Sequence, residues 1–248
     1  MGKPRGNGAV DMTTAAGAKT LAAGAKILHY QMDESDKPLI ELAPQHLFKY
    51  DGPLDVVVDI GAHVGTFALP AAEKGAIVYA VEPSPINFAM LLENIDRNGF
   101  SDKVHPINLA VARTGFEKRI LRFCAGAGSG QRSLAFSEAY PKESVVMTVS
   151  LKDLLKSVFD THGRIDYVKV DIEGAEWELL DDSDTELKEL IGRVNHWEVS
   201  LHPLSNNVFF DTSQAEAFAA AFGGIDYGLR MKTFMNSCGI NDNQMVLG

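Results

Sequence analysis

Apolar and polar positions along this chain follow two rhythms. Val56, Val57 and Val58, then Asp59 and Ile60, make a β-branched run suited to a strand buried on both faces of a parallel sheet. The run breaks at Gly61 and Gly65 and passes into an apolar stretch with helical character. A helix is expected over about 64–74, closed by Lys74 and Gly75. A second apolar strand over 76–81 ends at Glu82-Pro83. Ser84 and Pro85 then have the cap and first-turn chemistry of a helix carrying Phe88, Leu91, Leu92 and Ile95 on one face, ended by Asn98-Gly99. A third strand is expected over 104–109.

Beyond that point the rhythm changes. Residues 118–123 alternate as a half-exposed strand does, and 125–130 form a Gly-rich loop. A short strand is expected over 145–149, with Ser150 capping a helix whose fourth position is Asp153. Residues 165–170 read as a buried strand ending at Asp171, 173–180 as a helix and 193–199 as a strand. A helix over 213–222 and closing strands over 227–234 and 244–247 complete the reading. Ahead of it all, Leu21, Ile27 and Leu28 suggest a loose helix, and Asp51-Gly52-Pro53 a turn. Strands alternating with helices predict an α/β fold with a doubly wound, mostly parallel sheet and right-handed crossovers. The expected layout is an N-terminal extension over 1–50 and one domain over 51–248, with a variable insertion near 124–144.

Composition narrows the partners. The chain has 248 residues, 46% hydrophobic and 23% charged, which suits a globular domain with a full core. Its net charge of −10 leaves no broad basic footprint, so a small-molecule partner is expected rather than nucleic acid. Cys124 and Cys238 are too far apart for a metal-type spacing. No run approaches the ~18 apolar residues of a membrane span, and the N-terminal stretch lacks the apolar core of a signal peptide. A cytoplasmic location is the expectation; oligomeric state is not legible.

The first strand's turn carries the candidate chemistry. Dinucleotide sites use G-x-G-x-x-G, whose middle Gly admits a pyrophosphate. Here that position is His63, in the pattern Asp59-x-Gly61-x-x-x-Gly65. A ligand without pyrophosphate but with a charged amino-acid part fits better, and S-adenosylmethionine is such a ligand. Asp59 and strand-end carbonyls would accept from its ammonium, and turn amides around Gly61, Ala62, His63 and Gly65 would face its carboxylate. Glu82, 21 residues after Gly61 and followed by Pro83, would accept from both ribose hydroxyls. His63 reads as a local hydrogen-bonding residue. An NAD-linked oxidoreductase and a binding scaffold without transfer are the alternative readings.

A second cluster is Asp171-Ile172-Glu173-Gly174-Ala175-Glu176. Asp171 ends a strand, where ligands bind in open α/β sheets, and Glu173 and Glu176 share a face at a helix start. Asp171 or Glu173 can serve as general base toward an acceptor hydroxyl. Alternatively, carboxylates here can hold a divalent cation such as Mg²⁺. The residues leave that choice open.

These stretches, with Asn94-Ile95, Asn98, residues 107–111 and residues 148–155, resemble the FkbM family of adenosylmethionine-dependent methyltransferases. The resemblance covers about 55–202 and is most specific at Asp171–Glu176. It implies a Rossmann-like class I methyltransferase sheet whose last strand is antiparallel. It also implies methyl transfer, most often to oxygen of a natural product, sugar or lipid-like acceptor. By the same resemblance Asn108 and Ala110 border the adenine. Where relatives carry Glu-x-His, this chain has Glu198-Val199-Ser200, with histidine displaced to His202; both are candidate catalytic residues, and Asp171 with Glu198 a candidate metal pair. Lys169 is expected to pair with Asp171 or Glu198. The 124–144 segment, with Arg132, Phe136 and Tyr140, is a candidate acceptor lid.

Overall fold

The structure is a computed structural model, and it describes residues 18–23, 26–31, 50–123, 132–134, 142–179, 181, 183–200, 227–241 and 243–247. Two strands, β1 (Ala18–Ala23) and β2 (Lys26–Gln31), pair antiparallel where the sequence suggested a loose helix. Thr20, Leu21, Ile27 and Tyr30 favour extended backbone there, and β2 lies against helices of the main layer.

The central element is β3 (Val56–Ile60), buried along its whole length. A turn leads to α1 (Ala68–Glu73), then β4 (Ile77–Val81), α2 (Pro85–Asn98) and β5 (Val104–Ile107). The turn segment is longer than predicted, so the first helix begins at Ala68 rather than near 64. In α2, Ser84 caps the amide of Asn87 behind Pro85, and Gly99 closes the helix at φ +69°. Three short strands, β6 (Ala110–Ala112), β7 (Lys118–Phe123) and β8 (Arg132–Ser133), precede β9 (Lys142–Ser150). Ser150 then caps α3 (Leu151–His162) through the Asp153 amide, as its sequence predicts. Next come β10 (Tyr167–Val170), a 3₁₀ helix (Ala175–Leu179), α4 (Thr185–Gly192), β11 (His196–Val199), α5 (Tyr227–Ser237) and β12 (Met245–Leu247).

Six of these strands form one parallel sheet in the order β12-β11-β10-β3-β4-β5. The doubly wound α/β expectation holds, with two corrections. The last described strand, β12, runs parallel to β11 rather than antiparallel, because α5 carries the chain back to the end of the sheet where β11 began. Residues 227–234, expected as a strand, are part of that helix. The helix α4 was not read from the sequence at all, although Asp184 caps it through the Leu187 amide. The expected helix over 213–222 lies outside the described residues.

Side-chain alternation along β3 separates two cores. Val56, Val58 and Ile60 pack with residues of α3, α4 and α5, including Leu155, Ile191 and Phe234. Val57 packs with α1, α2 and Tyr167 on the opposite face. Asp59 shares that second face, which places a carboxylate in a layer otherwise built of apolar side chains.

A second sheet, β6-β9-β7-β8, follows β5. It docks on the 3₁₀ segment through a bidentate pair, Arg119 to Glu178, with both contacts at 2.9 Å; most of the segment 124–144 lies outside the described residues. At the sheet's far end, Asp166 gathers the strand starts. Its carboxylate accepts from the Asp55 and Val56 amides at 2.9 and 3.0 Å, from Asn195 at 2.9 Å and from Arg164.

Candidate functional site

At the carboxyl ends of β3, β4 and β10 an open cleft is lined by Gly61, His63, Glu82, Ala110, Arg132 and Asp171, with apolar walls from Leu109, Val111, Leu121 and Leu134.

The turn after β3 is shaped by glycines and by Glu82. Gly61 sits at φ +86°, and a Cβ there would lie 1.9 Å from the Asp171 carbonyl oxygen, so only glycine lets the β3 and β10 ends meet. The Gly61 and Ala62 amides both donate to the Val81 carbonyl, at 2.9 and 3.0 Å. The His63 amide donates to Glu82 Oε2 at 2.9 Å. These three amides were expected to face a ligand carboxylate; instead they are spent inside the protein. The helix that follows starts five residues further on. None of these three amides is left for an anion or pyrophosphate. Asn94 steadies the turn by donating to the Val64 carbonyl at 2.8 Å.

Glu82 is almost fully buried. Its Oε2 takes the His63 amide, and its Oε1 takes the Ser84 amide at 2.8 Å and, more weakly, Asn87 Nδ2 at 3.5 Å. Burial raises its pKa, opposed by His63, by the two backbone amides and by Arg132. Its remaining lone pairs are directed by this bracing and can accept from vicinal hydroxyls. Asn108 follows the β5 end. Its side chain donates to the Glu82 and Pro83 carbonyls at 2.8 and 3.2 Å, which locks the backbone carrying the acid. Ala110 does line the cleft.

Beneath the cleft three strands bring charged residues level. In register, Asp59 on β3 stands beside Lys169 on β10, which stands beside Glu198 on β11. Lys169 Nζ pairs with Asp171 Oδ2 at 3.0 Å, and the Tyr167 hydroxyl donates to Glu198 Oε2. Asp59 has zero exposure, and neither carboxylate oxygen has a hydrogen-bond partner. Its pKa is held up at about 6, by burial above all; Lys169 opposes the rise, while Asp171 and Glu198 add to it. The Ala68 amide also lowers it. Lys169 stays a cation: burial disfavours its charge, but Asp171, Asp59 and Glu198 outweigh that and raise its pKa. Burial and the Glu198 bond raise that of Tyr167.

The Asp171 turn separates residues that the sequence grouped. Glu176 is fully buried and accepts from the Ile172 and Gly174 amides at 2.9 and 2.8 Å, so it shapes the turn from inside. Glu173 and Gly174 adopt φ +56° and +96°, which puts Glu173 in the turn rather than on a helix face shared with Glu176. Asp171 is at the rim, its side chain one-third exposed. Asp171 and Glu198, the pair suggested for a divalent cation, are engaged by Lys169 and Tyr167. Among the described residues no three His, Cys, Asp or Glu side chains come together to hold a metal. Gly65 lies in the turn at φ +95°. His202, Phe136 and Tyr140 lie outside the described residues. Tyr167, Leu121, Ser133 and Leu134 were not singled out in the sequence; the period-2 spacing of Tyr167, Lys169 and Asp171 could have flagged the first.

A parallel α/β sheet with a glycine turn, a braced carboxylate at the next strand end and a buried acid beneath is the layout of a Rossmann-like fold that binds a nucleoside-bearing ligand at its strand ends. A family model, "Methyltransferase FkbM domain", matches residues 59–239, and the chain belongs to that family. It is similar to the methyltransferase sdnD of Sordaria araneosa, with 28% identity over 173 residues, 58% of this chain and 67% of that protein. It is also similar to the 31-O-demethyl-FK506 methyltransferase FkbM of Streptomyces tacrolimicus, with 33% identity over 90 residues, 34% of this chain and 35% of that one. A tRNA (guanine(37)-N(1))-methyltransferase of Batrachochytrium dendrobatidis is 39% identical over 64 residues, 25% of this chain; the match spans only 14% of that relative's length. A solved SAM-dependent methyltransferase from Agrobacterium tumefaciens aligns over 64% of this chain and 40% of its own, with 12% identity and a TM-score of 0.33.

Proposed function

We propose that this chain methylates a hydroxyl of a small molecule, sugar or lipid-like acceptor, with Asp171 as general base. The observation that carries the reading is the Lys169–Asp171 pair at the rim of the cleft that also holds Glu82. Glu82 would accept from the ribose hydroxyls, Asp59 from the ammonium, and Leu109, Ala110, Val111, Leu121 and Leu134 would flank the adenine. Bound adenosylmethionine supplies a sulfonium methyl as electrophile. Asp171, paired with Lys169, takes the acceptor hydroxyl's proton as the oxygen attacks the methyl carbon and the sulfonium sulfur leaves as the thioether. Glu198 is committed to Tyr167 and supports the row from below.

Net charge −10 favours a small acceptor over a polyanion.

Titration calorimetry should show adenosylhomocysteine binding and no NADH binding; the reverse would install the oxidoreductase reading. A panel of hydroxylated acceptors and bulk tRNA, run with methyl-labelled cofactor with and without EDTA, assigns the acceptor class and any metal requirement. Label in tRNA alone would overturn the small-molecule reading. Asp171→Asn should lower transfer at least ~100-fold, the scale of lost general-base catalysis, with adenosylhomocysteine affinity kept. Full activity would remove Asp171 from the chemistry.

A further inference from the structure

The amino-acid end of adenosylmethionine carries an ammonium and a carboxylate on one carbon, so a site must receive both charges close together. The sheet side of the cleft suits only the first. Asp59, Lys169 and Glu198 stand level there, with Asp171 at the rim, and the one ammonium among these carboxyl groups is paired with Asp171 at 3.0 Å. A further carboxylate brought to this side meets like charge. Nor are the amides of Gly61, Ala62 and His63 left for it, because Val81 and Glu82 hold them. Its counter-charge has to come from the opposite wall.

That wall is the second sheet. Among the described residues lining the cleft, Arg132 is the only arginine or lysine. Its direction follows from register. Arg132 on β8 stands opposite Phe123 on β7, and Leu121, two residues earlier on the same face, walls the cleft. Arg119, two further back on that face, pairs with Glu178 and anchors the sheet to the 3₁₀ segment. We propose that Arg132 is a cofactor-binding residue, its guanidinium receiving the carboxylate of adenosylmethionine while the acid row takes the ammonium. The assignment rests on the reading of the cleft as an adenosylmethionine site. A planar guanidinium meets a carboxylate with two parallel N–H donors and has five in all, so a ligand contact leaves donors for neighbours within the protein. The insertion, read from the sequence as an acceptor lid, thereby takes part in holding the cofactor.

The test compares two ligands and needs no acceptor: adenosylhomocysteine, which has the amino-acid end, and methylthioadenosine, which has a methyl group in its place. Calorimetric titration of Arg132→Met should show adenosylhomocysteine bound at least ~tenfold more weakly than by wild type, the scale of one charge-assisted contact, with methylthioadenosine affinity within about twofold. Arg132→Lys keeps the charge and loses the fork, so its adenosylhomocysteine affinity should fall between the two. Arg132→Gln replaces Arg132→Met if the latter fails to fold. Unchanged adenosylhomocysteine affinity in Arg132→Met would overturn the assignment. So would an equal loss for both ligands, which would put Arg132 at the nucleoside instead of the amino acid. Wild-type protein that binds neither ligand would instead overturn the cofactor reading beneath it.

Discussion

Asp59 is the place where this fold gives up stability for its site, and the loss can be measured. Its carboxylate has zero exposure and no hydrogen-bond partner, and its pKa lies near 6 against 3.8 for an ordinary aspartate. A folded-state pKa raised above the unfolded value gives stability that is fully present below the unfolded pKa and is lost as pH rises through the folded pKa. The full difference is about 3 kcal/mol, from roughly two pK units at 1.36 kcal/mol each. Between pH 4.5 and 7.5, about 2 kcal/mol of it should be lost. Asp59→Asn keeps the shape and removes the titration. The buried amide has its own desolvation cost, but that cost does not vary with pH and cancels in the comparison. At about 2–4 °C per kcal/mol for a chain of this size, the Tm difference between variant and wild type should move by about 4–8 °C in the variant's favour from pH 4.5 to 7.5. Thermal denaturation followed by circular dichroism, without ligand, reads this directly. Parallel Tm profiles for the two proteins would refute the idea that Asp59 is an uncompensated buried charge. In the same variant, adenosylhomocysteine affinity should fall.

Two other predictions probe the frame. Asp166→Ala strands the buried Val56 amide and frees Arg164 and Asn195, so it should cost about 3 kcal/mol. Denaturant unfolding checks this; because Asp166 lies at the far end of the sheet, cofactor affinity should be unchanged, and a loss under 1 kcal/mol would mean the cluster is dispensable. Gly61→Ala drives a Cβ to 1.9 Å from the Asp171 carbonyl at φ +86°, so it should cost more than about 3 kcal/mol or spread the β3 and β10 ends. A soluble variant that melts with wild type and still binds adenosylhomocysteine would contradict that packing.

Much of the architecture is legible in the chain because it is local. Unbroken Val and Ile runs specify two-faced burial, and Ser84, Ser150, Gly99 and Gly163 mark helix ends through short-range hydrogen bonds and backbone freedom. Where local signals were weak the reading slipped. Tyr227–Ser237 has apolar residues compatible with either period, and packing of Phe234 and Met235 against the sheet decides for helix.

The candidate site divides in the same way. Asp59, Gly61, Glu82 and Asp171 stand out because each closes a strand or shapes the turn after it, and that position is written in consecutive residues. Their partners are not. That Asp59, Lys169 and Glu198 stand level depends on the register of three strands, the first more than a hundred residues of chain ahead of the other two. That the amides of residues 61–63 are taken by Val81 and Glu82, and that Glu176 turns inward, depends on which strand end lies nearest once the sheet has closed. Sequence spacing determines which groups reach the cleft, because side-chain direction repeats every two or 3.6 residues. Only the folded sheet decides which of them are already bonded to one another and which are left for a ligand, because hydrogen bonds are claimed by proximity in space.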